Sequence, residues 1–498
     1  MARPEHAGIV TLCVMLATIM QALDTTIANV ALPYMQGNLS TTQDQVNWVL
    51  TSYIVSAAIM MPVTGYLAAR FGRRRLFLVT VAGFTATSML CGLAGSIEQM
   101  VVFRLLQGVF GAPLVPLSQA VLLDSHPREK QGSAMAMWGV GVMIGPILGP
   151  TLGGWLTENY GWRWVFYINL PVGILAFIGL STFLAESRTS RTGFDWLGFL
   201  ILGTAIGALQ MMLDRGEHLD WFASAEIRFE AALSAIAFCV FLIHMATAHR
   251  PFIDPRLFRD RNFSAGLVFI FVVGIILLAT LALMTPYLQH LMGYPVVTAG
   301  MALAPRGVGT MLGMLLVGRL IEHADPRWVV LTGLCLTVAV LWQMSGYTPA
   351  VSTRTVMLHG LVQGFGLGLI FVPLSTVTFS TLTPELRTQG TALFSLMRNL
   401  GSSIGISLVI FLLTRNTQAM HAELTAHVTP FSQALRSGAA AGIWDLSTAA
   451  GRLALNAEIT RQAAIIAYAN DFRLMMLVAM AAMPLVLLLR RPPRRPAA

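Results

Sequence analysis

Gln107-Gly108, Val115-Pro116-Leu117-Ser118 and Gln131-Gly132-Ser133-Ala134 follow one another along residues 107–134, and the same order returns as Gln363-Gly364, Val372-Pro373-Leu374-Ser375 and Gln389-Gly390-Thr391-Ala392. A fourth pair lies ahead of these: Pro33-Tyr34-Met35-Gln36 recurs as Pro286-Tyr287-Leu288-Gln289. The separation stays between 253 and 258 residues throughout. One such match is within chance. Four in the same order at a nearly constant offset mark a duplicated chain.

Composition says what has been duplicated. Of 498 residues, 55% are hydrophobic and 11% charged, against about 25% charged in a soluble domain. That excludes a soluble globular enzyme, a disordered chain and a coiled coil, and leaves a polytopic membrane protein. In lipid every backbone N–H and C=O needs a partner inside its own segment, so long apolar runs are helices of about 20 residues. Fourteen runs qualify, near 9–32, 46–69, 76–96, 100–122, 133–156, 164–185, 194–213, 226–247, 263–288, 297–321, 328–346, 355–380, 389–414 and 471–489. The expected fold class is an all-α polytopic membrane protein. Spans 1–6 match spans 9–14, and spans 7 and 8 are an extra pair. The chain divides into a six-helix bundle over 1–186, links and two extra helices over 187–262, and a second bundle over 263–498 that includes an outer loop at 415–470, Ala-rich and helix-compatible between Ile443 and Ala469. Two like halves around a central site are a transporter architecture, able to expose that site to either side by rocking.

Basic residues orient the chain. With the N-terminus inside, the inner segments hold 20 of the 32 Lys and Arg residues, among them Arg3, Arg70, Arg73, Arg74, Arg75, Arg128, Arg188, Arg191, Arg250 and Arg490, Arg491, Arg494, Arg495. Short outer segments hold four: Arg163, Arg215, Arg228 and Arg354. Both termini are therefore expected in the cytoplasm. The first apolar run is too long for a signal peptide and carries Asp24 and Asn29. The net charge of +9 is spread over loops and implies no nucleic acid. Four cysteines without CxxC spacing and ten histidines without HExxH give no disulfide or metal expectation, and with no phosphate-binding loop, ATP is not the energy source. No cofactor is expected.

The charged residues inside spans carry the chemistry. An ionised Asp at a helix centre costs about 2.5–3.5 kcal/mol on insertion scales. Asp24 lies eight residues before Leu32, about 12 Å along the axis and within the outer half of the hydrocarbon. Desolvation favours the neutral acid, so such a carboxyl can take up and release a proton. Gln21 and Thr25 share its face and Asn29 is close, making all three candidate cavity residues. The equivalent position in span 9 is Leu277, so the carboxylate belongs to one half alone. Arg104 in span 4 is placed to reach the depth of Asp24. Arg306 and Arg398 are the other cations inside spans, candidates to pair with backbone carbonyls, line the cavity or bind anionic substrates. Span 5 carries Gly141, Gly145, Gly149 and Gly153 at four-residue spacing, with Pro146, Pro150 and Gly154 among them. Small residues at that spacing let another backbone approach closely, and proline favours a kink.

These residues together resemble the major facilitator superfamily, and within it the fourteen-span drug:proton antiporters of the EmrB type. Leu23-Asp24-Thr25-Thr26-Ile27-Ala28-Asn29-Val30-Ala31-Leu32-Pro33 is similar to the family's span 1 signature, Gly65 to Arg75 to its loop 2–3 signature, Arg104-Leu105-Leu106-Gln107-Gly108 to its span 4 motif, and Gly141 to Gly154 to its span 5 antiporter motif. Leu213-Asp214-Arg215-Gly216 with Leu219-Asp220-Trp221-Phe222 resembles the EmrB branch. The resemblance covers nearly the whole chain. It implies the major facilitator fold and a proton-coupled multidrug efflux antiporter in the cell inner membrane, exporting lipophilic toxic compounds by alternating access. Asp24 and Arg104 would couple the proton. The span 5 glycines and prolines would seal the interface between halves. Gly65, Arg70, Gly72, Arg73 and Arg74 would form the cytoplasmic loop 2–3. The family often has Asp where this chain has Ala69, so an inner charge latch is not expected here and Arg73 to Arg75 read as a positive-inside anchor. Implied partners besides protons and lipid are a periplasmic adaptor of the membrane fusion type and an outer-membrane channel, docked through 415–470. The rival reading is an importer of a small metabolite on the same fold, proton-coupled or facilitative. An enzyme would need convergent nucleophile, base or metal ligands, and a receptor a sizeable soluble domain; the sequence offers neither.

Overall fold

The computed structural model describes residues 7–127, 130–187, 189, 193–249, 251–321, 324–429 and 443–489. Fourteen helices among them are long and apolar enough to cross a bilayer: α1 Ala7–Asn38, α2 Gln43–Phe71, α3 Arg73–Leu93, α4 Ile97–Ser125, α5 Gln131–Tyr160, α6 Trp164–Phe183, α7 Trp196–Arg215, α8 Ala225–Thr247, α9 Arg261–Leu291, α10 Val297–Leu320, α11 Pro326–Met344, α12 Thr353–Ser380, α13 Pro384–His427 and α14 Ala449–Leu488. No strand occurs among the described residues.

Side chains start several of these helices. Thr42 and Gln45 form a reciprocal capping box at α2. Ser96, Ser352 and Asp325 accept from the first-turn N–H groups of α4, α12 and α11. Gly72, at φ +85°, makes the sharp break between α2 and α3, a backbone that a side chain would strain.

Packing repeats with the sequence. In the first half α1 packs on α5 and α2 on α4; in the second, α9 packs on α13 and α10 on α12. The second set stands at the repeat-equivalent positions of the first. Gly364 and Gly368 lie along α12 where a side chain would strike the backbone of Arg306 and Thr310 on α10, which accounts for that close pairing; Gly360, on the same face, leaves room for a Cβ at ordinary contact with Arg306. The extra helix α7 lies against both halves. Gly203 and Gly207 face Ile59 of α2, and Thr51 bonds Asp214. Gln210 donates to Ser403 Oγ at 3.0 Å, and Ser407 of α13 donates to Leu213 O at 2.7 Å. At the N-terminus of α7, Asp195 accepts from Gly198 N, Phe252 N and His244. Burial alone would raise this carboxyl, but those donors hold it below its ordinary value.

Two expectations change. Helices α13 and α14 do not end where hydropathy falls. The 44 residues of α13 extend about 66 Å at 1.5 Å per residue, against a hydrocarbon core of about 30 Å. Much of 415–470 is therefore continuous helix rather than loop, and His421 Nε2 meets Asn456 Oδ1 across the pair at 3.0 Å. Loss of hydropathy marks the exit from lipid, while an Ala-rich sequence continues the helix. Helix α5 likewise runs through Pro146 and Pro150 without interruption. Residues 430–442, together with Arg3, Arg128, Arg188, Arg191, Arg250, Arg490, Arg491, Arg494 and Arg495, lie outside the described residues.

Candidate functional site

Five helices of the first half converge on Asp24, which is 1% exposed. Arg104 Nη1 donates to Asp24 Oδ2 at 2.6 Å. Gln107 Nε2 and Asn169 Nδ2 each donate to Oδ1 at 2.9 Å. Three donors on two oxygens are the complement of an ionised carboxylate, which only accepts. Arg104 is held in turn. Its Nε donates to Val49 O at 2.9 Å and its Nη1 to Gln107 Oε1 at 2.7 Å. Its guanidinium carbon lies 4.5 Å from the Tyr53 ring centre and 5.7 Å from that of Phe166. Asn169 also donates to Ser88 Oγ, which donates to Phe166 O. Charge, amide and ring therefore come from α1, α2, α3, α4 and α6, while α5 backs α1 from the far side.

The sequence placed Asp24 and Arg104 within reach, and the structure joins them. It separates the other candidates. Gln21 donates to Tyr53 OH at 3.1 Å, at the edge of the cluster. The Thr25 hydroxyl returns to Ala22 O on its own helix. Asn29 is exposed, more than a turn away. Gln107, Asn169, Ser88 and Tyr53 were not singled out as site residues. Gln107 had a signal, since it belongs to the duplicated Gln-Gly pair. Asn169 and Ser88 are lone polar residues in apolar helices, and only the fold gives them a partner.

In the second half Arg306 Nη2 donates to Leu277 O at 2.6 Å. Leu277 is the repeat equivalent of Asp24, and it offers this arginine a backbone carbonyl and no carboxylate. Arg398 is half-buried, with Asn399 Oδ1 at 3.5 Å. Among the described residues neither arginine has an acidic partner.

The antiporter-motif residues pack differently from expectation. A Cβ on Gly141 would meet Met15, on Gly145 Ala22, on Gly149 Thr26 and on Gly153 Ile27. All four face α1, in the same half, because absent side chains let the two backbones close together. Gly154 has nothing within 4 Å, and Pro146 and Pro150 are exposed. The contact across the halves is made by another face of α5, where Gly132 meets Ile321, Gly139 meets Met314 and Ile147 meets Gly307 of α10.

The expectation of no charge latch is also corrected. Arg73 and Arg387, one from each half, both pair with Asp124 at the end of α4. Arg73 further donates to Thr388 Oγ1 and Pro384 O, each at 2.7 Å, and Thr391 Oγ1 donates to Pro116 O at 2.9 Å. Gly65 lies where a Cβ would stand 2.7 Å from Gln389 Cα. The acid absent at Ala69 is supplied from α4, and the protein is closed at this basic end. Arg74 donates to Ser181 O, while Arg70 and Arg75 are exposed. Asp124→Asn leaves two arginines facing one another without their shared anion. We expect the population open at this end to rise about tenfold, a shift of about 1.4 kcal/mol. Distances between spin labels at the exposed positions Arg70 and Glu385 will measure it.

The model of the Major Facilitator Superfamily matches residues 14–406. The chain is 37% identical over 427 residues to the multidrug export protein EmrB of Escherichia coli (strain K12), covering 85% of this chain and 83% of that one. It is 36% identical over 489 residues to the fatty acid resistance protein FarB of Neisseria gonorrhoeae, covering 97% and 96%. Among solved structures, the proton:xylose symporter XylE superposes with a TM-score of 0.61 at 14% identity over 95% of both chains, which bears on the fold alone. The chain belongs to the Major Facilitator Superfamily, as a fourteen-span member similar in sequence to the EmrB proteins.

Proposed function

We propose that this protein is a proton-driven exporter of lipophilic compounds, working by alternating access in the inner membrane with its basic end and both termini in the cytoplasm. The observation that carries this reading is the buried Asp24–Arg104 pair among neutral hydrogen-bonding partners. When a proton neutralises Asp24, Arg104 keeps Val49 O and Gln107 but loses its counter-charge, and the hydrogen bonds joining α1, α4 and α6 rearrange. That change sits in one half and alters its fit against the other. An inward proton contributes about 2.3 kcal/mol per 100 mV of membrane potential. Arg306 and Arg398, which have no acidic partner among the described residues, favour cargo with an acidic group, in keeping with a relative whose name states fatty acid resistance.

The test is uptake of a lipophilic carboxylic acid into inverted vesicles under an imposed pH gradient. We expect accumulation that collapses when the gradient is dissipated, with the methyl ester of the same compound transported less. Accumulation indifferent to the gradient removes proton coupling; equal uptake of acid and ester removes the role of the arginines.

The long hairpin of α13 and α14 projects from the opposite side and is the surface proposed to meet a periplasmic adaptor leading to an outer-membrane channel. Deleting 420–465 should abolish co-purification with the adaptor while leaving vesicle uptake in place. Full retention of the adaptor refutes that docking.

A further inference from the structure

Asp24 accounts for one buried carboxylate; α14 holds another. Asp471 is 1% exposed, and its Oδ2 has no hydrogen-bond partner. Asn416 of α13 lies beside it, an amide where Asp24 has a guanidinium. Tyr468, one turn earlier on the same face of α14, stands against Tyr287 of α9 with ring centres 5.3 Å apart. The Tyr287 hydroxyl is itself buried without a partner. Tyr468 also forms part of the wall of an open cavity of about 330 Å³, where the polar side chains of His290, Thr417 and Gln418 stand among Leu291, Leu413 and Ala464, roomy enough to hold water.

The groups beside Asp471 among the described residues are neutral: Asn416 from α13 and Tyr468 from α14, with Tyr287 of α9 against Tyr468 and, behind Tyr287, Tyr347 beyond α11, whose hydroxyl meets His359 of α12. Arg415 and Arg473, next in sequence to Asn416 and two residues past Asp471, are exposed, and neither forms an ion pair with it. A buried carboxylate ion without a cation is the costly form, and taking a proton removes the charge. A metal ion needs several anionic or imidazole ligands, and no such group is found among the described residues.

We propose that Asp471 is a second proton-binding site, in the second half, filled and emptied through the cavity beside Tyr468. The proton adds to Oδ2 from water in that cavity to give the neutral acid, and returns to water when the site reopens; no other bond changes. The proposal rests on the proton-coupled reading above and adds to it that each cycle moves two protons, one per half.

The test uses the full chain reconstituted in lipid. Infrared difference spectra are recorded as pH is varied over about 5 to 9, on wild type, Asp471→Asn and Asp24→Asn. Proton movement per cargo molecule is measured in parallel. We expect a titrating carboxyl band that Asp471→Asn removes, Asp24→Asn spares and Asp471→Glu restores. Proton movement per cargo should fall about twofold in Asp471→Asn as one of two carboxylates is lost. An identical titration in wild type and Asp471→Asn overturns the proposal even if the wild type transports on a pH gradient. Transport indifferent to pH in the wild type overturns the broader reading instead, while the infrared band still decides whether Asp471 takes a proton. Asp471→Asn that elutes and inserts like wild type excludes misfolding as the cause of a lost band.

Discussion

Asp24→Asn is expected to lower pH-driven transport at least about 100-fold while the protein still inserts. Two effects act together. The amide cannot exchange a proton, so the coupling chemistry is gone. It also leaves Arg104, which is 0% exposed, without its anion. Removing one member of a buried ion pair costs about 3–5 kcal/mol, mostly because the remaining charge stays buried. A second variant separates the two. Asp24→Asn with Arg104→Gln removes both charges, so thermal stability in detergent should recover most of the loss, as a double-mutant cycle will measure. Transport should not recover. If the single variant transports on a pH gradient as wild type does, Asp24 has no part in coupling.

The second large effect concerns α5. A Cβ at Gly145 would sit 2.7 Å from Ala22 Cβ and 2.8 Å from its carbonyl carbon. The obstruction is backbone, which cannot rotate away. Gly145→Leu therefore forces α1 from α5, and α1 carries Asp24 less than one turn further on. Overpacking a close interface costs about 1–3 kcal/mol and sometimes more. We expect at least tenfold less transport, about 1.4 kcal/mol or more, and less protein surviving solubilisation as a single species. Gly154 lies in the same motif but has nothing within 4 Å of a Cβ, so Gly154→Leu should be tolerated. Equal damage at both positions would mean that the motif acts through something other than contact with α1.

How much of this was written in the sequence depends on which physical signal recorded it. Fourteen spans and two related halves were legible because lipid imposes length and hydropathy on each helix, and because the repeat preserves order. Asp24 and Arg104 were legible because a charge inside a span is costly enough to stand out. Asn169 and Ser88 carry no such cost and stayed hidden until α6 was placed beside α1. Asp124 was missed because it sits at a helix end among loop charges, and its partner Arg387 is 263 residues away. The helical continuation of α13 was missed because hydropathy reports lipid contact and not backbone conformation, whereas that of α14 was legible in an Ala-rich stretch with few helix breakers from Ile443 to Ala469. The glycines of α5 were read as close-packing residues, but which neighbour they admit is a tertiary fact.

The position of α7 bears on how greasy molecules could get in. In the repeat, the α2–α13 seam is the counterpart of the α10–α5 seam. Helix α7 clasps α2 through Thr51 and α13 through Ser403 and Ser407, and α8 packs outside it. That lateral doorway is shuttered from the acyl chains. A compound already dissolved in the leaflet is thus left with the α5–α10 flank as its sideways approach, which gives an otherwise two-fold molecule a front and a back.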